Sequence, residues 1–209
     1  MSAKHNLQAS PRGVARFPYL NEPDHEYAAK YGNAPEYKVQ LIPSVEDSAK
    51  FQASLEAFHN AELKRFSEQE GRKLKKHDAI PYSEVLDKDT QEPTGETAFK
   101  FKLKAEGKNN KTGETWINSI VWKSAQNQPI QKPVDKVGGG SVLRIAFEPY
   151  CWNIAGKVGM TLRMKIVQLI DLKTYTPGGD MGEKLFDAED GYAGVEEAPA
   201  ADVFSGADF

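Results

Sequence analysis

Cations and flat aromatic side chains are concentrated together between residues 99 and 165 of this chain. Phe99 to Arg144 holds nine Lys or Arg against three acids, a net of +6. All three tryptophans, Trp116, Trp122 and Trp152, lie in the same region, with Tyr150 close to the last. Together these types can do the chemistry of a single-strand nucleic-acid groove, where cations neutralise phosphates and aromatic faces stack on unpaired bases. Phe99, Phe101 and Leu103 alternate with Lys100, Lys102 and Lys104. With the apolar set turned into a core, the lysines form a row at about 6.6 Å intervals, close to the spacing of phosphates along an extended strand. Lys123 directly follows Trp122, and Lys132 and Lys136 add charge in the connector beyond it. Arg144, Arg163 and Lys165 interrupt apolar strands and are expected on the outer face. Each feature has a plainer reading beside the chemical one. A lysine row also solubilises a face or protects a sheet edge, and most tryptophans are core.

Catalytic chemistry finds little support. The four histidines, His5, His25, His59 and His77, show no metal-ligand spacing, and the single Cys151 excludes an internal disulfide and a cysteine-rich zinc site. Gly138-Gly139-Gly140 lacks the Lys-Ser/Thr that completes a phosphate-binding loop and precedes a strand, so it reads as a tight turn. No paired-carboxylate or Ser-His-Asp arrangement stands out. We therefore assign no catalytic residue, metal ligand or cofactor, and expect no enzyme.

The elements that must position these groups are mainly β. A short strand is expected from Gly13 to Phe17, ended by Pro18 and the Asn21-Glu22-Pro23-Asp24 turn signal. Tyr37, Val39 and Leu41 alternate with polar neighbours and predict a strand over Glu36 to Ile42. Ser44, with Asp47 three residues on, resembles a helix N-cap. Phe51, Leu55, Phe58 and Phe66 then fall on one helical face, predicting a helix from Val45 to Gln69 that stops near Gly71. The basic cluster Arg72-Lys73-Leu74-Lys75-Lys76 follows, and 78–97 reads as a long loop. Further strands are expected at Ala98 to Lys104, Thr115 to Lys123, Ser141 to Phe147 and Met160 to Leu172. In the last, the alternation of Leu162, Met164 and Ile166 slips at Val167, which predicts a β-bulge of the kind that curves sheets into barrels.

Net charge is −3, but it is unevenly placed. From Asp180 onward there are nine acids against Lys184 alone, so this segment carries −8 and residues 1–179 carry +5. The expected organisation is a basic body, 1–179, and an acidic tail, 180–209, too rich in Ala, Gly and acids to bury a core. The tail ends in aromatics, Asp202-Val203-Phe204 and Asp208-Phe209, from which a wholly solvent-bathed segment would gain nothing. As a flexible segment it would span about 30 Å, enough to reach back over a basic groove and compete with DNA. The start has no apolar signal segment and no run suits a membrane span, so the expected setting is a reducing cytoplasm.

One set of motifs resembles a known family. Arg16-Phe17-Pro18-Tyr19-Leu20-Asn21-Glu22-Pro23, Tyr37-Lys38-Val39-Gln40-Leu41-Ile42-Pro43, Ser141 to Tyr150 with its Pro-Tyr step, and Val158-Gly159-Met160 running to Val167-Gln168-Leu169 are similar to the single-stranded DNA-binding proteins of tailed bacteriophages. The resemblance spans about residues 13–172. It implies an OB-fold, a five-stranded Greek-key β-barrel with one substantial helix. It also implies sequence-independent binding of single-stranded DNA in phage replication and recombination inside the infected host cell. Through Asp202, Phe204, Asp208 and Phe209 the tail would recruit a polymerase, helicase or nuclease. The oligomeric state stays open, a homodimer included. Two other classes remain: a protein-interaction or virion module that ignores DNA, and a nucleic-acid-processing enzyme with spatially assembled carboxylates.

Overall fold

Period-two alternation builds most of the molecule. The computed structural model describes residues 7–109 and 112–174. The expected tail, with Asp202, Phe204, Asp208 and Phe209, lies outside the described residues. The chain begins with β1 (Gln8–Ala9), β2 (Gly13–Asp24), the short helix α1 (His25–Tyr31) and β3 (Glu36–Pro43). The long helix α2 (Val45–Glu70) follows, then β4 (Lys75–Lys76), β5 (Tyr82–Leu86) and β6 (Pro93–Lys104). The short strands β7 (Glu106–Lys108), β8 (Thr115–Ile117), β9 (Val121–Lys123) and β10 (Pro129–Ile130) lead to β11 (Val142–Ile154) and β12 (Lys157–Asp171).

Five of these strands close a barrel. β2 pairs β3, β3 pairs β6, and β11 pairs both β12 and β2, all antiparallel, while β6 and β12 close the ring with a short parallel pairing. This is the five-stranded barrel of the OB-fold, as the resemblance implied. Inward positions on the strands fill it: Leu41, Phe99, Phe101, Leu143, Ile145, Phe147, Leu162 and Met164 are essentially solvent-free. Phe147 packs at ring-centroid distances of 5.2 Å from Phe101 and 5.7 Å from Phe51, both edge-on.

Helix α2 supplies Phe51 and Leu55 to that core, with Phe58 and Phe66 half-buried against it. Its limits follow from its caps. The Ser44 hydroxyl accepts from the Asp47 N–H, and Gly71 takes the left-handed conformation that ends the helix. A second tie comes from His59, which is buried and whose Nε2 lies 2.8 Å from the Val158 carbonyl on β12. A carbonyl only accepts, so the ring donates through Nε2–H. Burial, more than the nearby Lys76, holds the His59 pKa below the ordinary imidazole value, although the bond to Val158 opposes this. The unfolded chain therefore binds the extra proton first as pH falls, and stability drops on the acid side. We expect the wild-type Tm to fall between about pH 7.5 and about pH 5.5 by more than that of His59→Gln, measured by thermal melts. Equal slopes would remove His59 as the cause.

Several sequence expectations are corrected. β2 does not stop at Pro18. It runs to Asp24, because Phe17 adopts a left-handed φ of 50° and the register breaks between Arg16 and Tyr19, freeing Pro18 from the ladder. The turn signal at 21–24 leads into α1, capped by the Asp24 side chain on the Tyr27 N–H. The expected loop at 78–97 contains β5 and the start of β6, paired with each other. Its residues are mostly exposed on both parities, so no alternation marked them. The expected strand from Thr115 to Lys123 is two strands, since β8 pairs β7 while β9 pairs β12. The parity slip in β12 is a true irregularity. Ala146 opposite Ile166 and Phe147 opposite Met164 leave Lys165 as the extra residue, and Ile170 is extra in the same way. Gly138-Gly139-Gly140 is a tight connection: the Gly138 N–H donates to the Lys173 carbonyl, and Gly140 has a φ of 89°.

Candidate nucleic-acid interface

Outward positions on the barrel strands mirror the buried ones, and register decides which of them meet. Lys100, Lys102 and Lys104 line the outer face of β6, opposite Gln40, Lys38 and Glu36 of β3. On its other side Lys102 is registered with Arg163 of β12. On the far side of β3, Lys38 is registered with Tyr19 of β2. One cross-strand row therefore reads Tyr19, Lys38, Lys102, Arg163, at strand spacings of about 4.8 Å. Two of its cations have carboxylate partners. Lys38 Nζ is 2.6 Å from Asp24, and Lys102 Nζ is 3.5 Å from Glu36. Burial alone would raise the Asp24 carboxyl, but Lys38 and the α1 backbone N–H groups together hold it below the ordinary value.

Arg163 joins the row to an aromatic platform. Its guanidinium carbon sits 3.3 Å from the ring centroid of Tyr150, which is 40% exposed on the outer face of β11. Two residues along the same face, Trp152 packs its ring over Gly159, where any Cβ would clash with the indole. Its Nε1–H donates to Thr161 Oγ1, and its ring meets His77 at 4.8 Å. Trp152 is thus half-buried and oriented, with Lys75 and Lys76 of β4 paired alongside Lys157 and Val158. The arrangement can hold an unpaired base by its face and a phosphate by its charge.

The remaining expected residues fall elsewhere. Arg144 on β11 is registered with Gln168 of β12, which in turn neighbours Lys123 of β9. Lys123 Nζ is 2.8 Å from Asn127 Oδ1. Lys165, the bulged residue, is half-buried between the two groups. Lys132 and Lys136 sit on the connector beside β2, with Lys132 Nζ 3.4 Å from the Asn21 carbonyl and Lys136 Nζ 4.0 Å from Glu22. Trp116 lies against Gly107 across the β7–β8 hairpin and is 39% exposed, so part of its ring remains open. Trp122 is corrected. It is 4% exposed within the core cluster and has no face to offer a base, because β9 turns it inward where it pairs with Val167.

Lys38 escaped the sequence reading, although its signal was the one used for Lys100 to Lys104. Tyr37, Val39 and Leu41 point inward or sideways, which leaves Lys38 outward. Among the described residues, no group of three or more His, Cys, Asp or Glu converges as a metal site, and no helix is long and apolar enough to cross a membrane.

An OB-fold with cations and half-exposed aromatics on one outer face has the two components that single-strand nucleic-acid binding requires. The family model described as "Single-stranded DNA-binding protein, Bacteriophage T7" matches residues 12–172, and the chain belongs to that family. Curated single-stranded DNA-binding proteins of Enterobacteria phage T3 and Escherichia phage T7 are 35% identical over 111 residues and 37% identical over 89. Those alignments cover 52% and 41% of this chain, and only 47% and 38% of the relatives, so the chain spans about half of their length or less. The crystal structure of gp2.5, a single-stranded DNA-binding protein encoded by bacteriophage T7, is similar at a TM-score of 0.64 and 25% identity, over 90% of this chain and 98% of that one. The single-stranded DNA-binding protein from bacteriophage Enc34, in complex with ssDNA, shares the fold at a TM-score of 0.57 and 12% identity, over 84% of this chain and 91% of that one.

Proposed function

We propose that this chain binds single-stranded DNA without sequence preference, as a non-enzymatic protein of phage DNA replication and recombination inside the infected cell. The observation that carries this is the registered row Lys38, Lys102, Arg163 ending on the Tyr150 ring. Phosphates exchange with the carboxylates that hold Lys38 and Lys102, and bases stack on Tyr150 and Trp152. Arg144, Lys123 and Lys165 extend the charged surface along β11, β12 and β9. Support for the acidic segment, 180–209, is its charge of −8 and its aromatic ending. It competes with DNA for the basic face and, once displaced, presents Phe209 to a replication partner such as a polymerase, helicase or nuclease.

The test is quenching of intrinsic fluorescence by oligo(dT) across a salt series. With Trp122 buried, Trp116 and Trp152 are the reporters. Four to six neutralised phosphates give a log–log slope of about −3 to −4 on single strands. A slope near zero would sink the groove, and absence of binding in a parallel gel shift would put the protein-interaction reading first. Removing residues 180–209 should tighten binding at low salt, and unchanged affinity would refute the competition.

A further inference from the structure

The far end of the cationic row carries a second group of rings, of which the interface above includes only Tyr19. Phe17 and Tyr19 stand on the bulged part of β2, and Tyr27 and Tyr31 on α1, which follows it directly. All four are large apolar rings left open to solvent, with Phe17 58% and Tyr31 56% exposed. None belongs to the core, to which this stretch contributes Leu20.

Each ring is matched to a cation. The Arg16 guanidinium lies 4.8 Å from the Phe17 centroid, and Lys30 Nζ lies 5.4 Å from Tyr31. Lys38 Nζ lies 5.0 Å from Tyr19 and 4.5 Å from Tyr27, held there by Asp24. Tyr27 and Tyr31 adjoin each other at 4.5 Å between centroids. Alternating flat faces and cations are what a single strand requires of a surface, because bases and phosphates alternate along it.

Two further features set this group apart from chance exposure. Phe17 has a φ of 50°, a conformation that bulky side chains rarely adopt, and the effect is to turn an aromatic ring outward. Beside Phe17 and Tyr19 runs an open groove of about 730 Å³, lined by Phe17 to Glu26 on one side and Lys136 to Gly139 on the other. Asn21 fixes its second wall, accepting from the Val137 N–H and donating to the Pro133 and Asp135 carbonyls. That places Lys136 at the groove's rim, in a position that its sequence context did not explain.

We propose that Phe17, Tyr19, Tyr27 and Tyr31 form a second base-stacking platform for the same single strand, joined to the Tyr150 platform by the Lys38, Lys102, Arg163 row. Three strand spacings separate Tyr19 from Arg163, about 14 Å, or roughly two phosphate intervals of extended strand. The strand thus crosses the barrel face from one platform to the other. This rests on the single-strand-binding reading above, and the experiment separates the two.

The double variant Phe17→Ala/Tyr31→Ala removes two rings that are more than half exposed. Compared with wild type on oligo(dT) of about 20 nucleotides, it should bind about tenfold or more weakly with an unchanged thermal melt. The conservative pair Phe17→Tyr/Tyr31→Phe should bind as wild type does. Photo-crosslinking of 5-iododeoxyuridine oligonucleotides to the wild-type chain should label Phe17, Tyr19, Tyr27 or Tyr31, which keeps the proposal testable if the alanine variant melts early. Wild-type affinity in the alanine variant, or crosslinks confined to Trp116, Tyr150 and Trp152, would overturn the second platform and leave single-strand binding intact. Failure of the wild-type chain to bind at all would overturn both.

Discussion

Replacing Arg163 by glutamate should lower affinity for oligo(dT) by about 100-fold at low salt, because one change removes two kinds of interaction. The missing charge is the one registered with Lys102, and its reversal puts a carboxylate at the end of the row, beside the Tyr150 platform. The guanidinium also lies over Tyr150 at 3.3 Å, so its removal leaves that ring without the group that fixes its pose. Stacking on such a ring contributes about 1–3 kcal/mol per base, and each phosphate no longer neutralised flattens the single-strand salt slope by about 0.7. Arg163→Lys should separate the parts. It keeps the charge and the slope but gives up the planar stacking, for a loss of roughly fivefold. Titrations of both variants across salt would read this, and affinity of Arg163→Glu within about twofold of wild type would remove Arg163 from the interface.

Phe147→Ala should destabilise the fold by about 3–5 kcal/mol, the range for truncating a buried aromatic ring. The side chain is solvent-free where it points from β11 into the barrel interior, and both Phe51 of α2 and Phe101 of β6 pack against it. Its loss therefore opens a cavity that two separate elements line. Against a total stability of about 5–15 kcal/mol for a domain, this is enough to populate the unfolded state on mild heating. Phe147→Leu keeps most of the volume and should cost less than half as much, by about the measure of a core shape change. Urea unfolding would decide, and a loss below about 1 kcal/mol for the alanine variant would mean that Phe147 is not packed between α2 and β6 as described.

These two outcomes differ in how visible their causes were beforehand. The inward role of Phe99, Phe101 and Leu103, and the outward one of Lys100, Lys102 and Lys104, was legible because strand alternation is local. The long helix was legible for the same reason, with Ser44, Gly71 and the Phe51–Leu55 spacing all within one element. The bulge in β12 showed as a parity slip because inward and outward positions exchange wherever one residue is added. Less was legible where a local signal had two physical outcomes. Pro18 reads as a strand end, yet a register break at Phe17 lets β2 continue past it. Trp122 next to Lys123 reads equally as a platform or as core, and only its pairing with Val167 decides for core.

The alternating barrel strands, the capped helix, the basic body with its acidic end and the lack of any local catalytic motif are all written in the amino-acid order. Which outward residues meet is not. Lys102 and Arg163 are far apart in the chain and adjacent only through the parallel pairing of β6 with β12, while Tyr19 and Lys38 meet only because β2 resumes its register after the bulge. Alternation is set by each strand's own backbone geometry, whereas register between distant strands is set by closure of the whole barrel around one packed core.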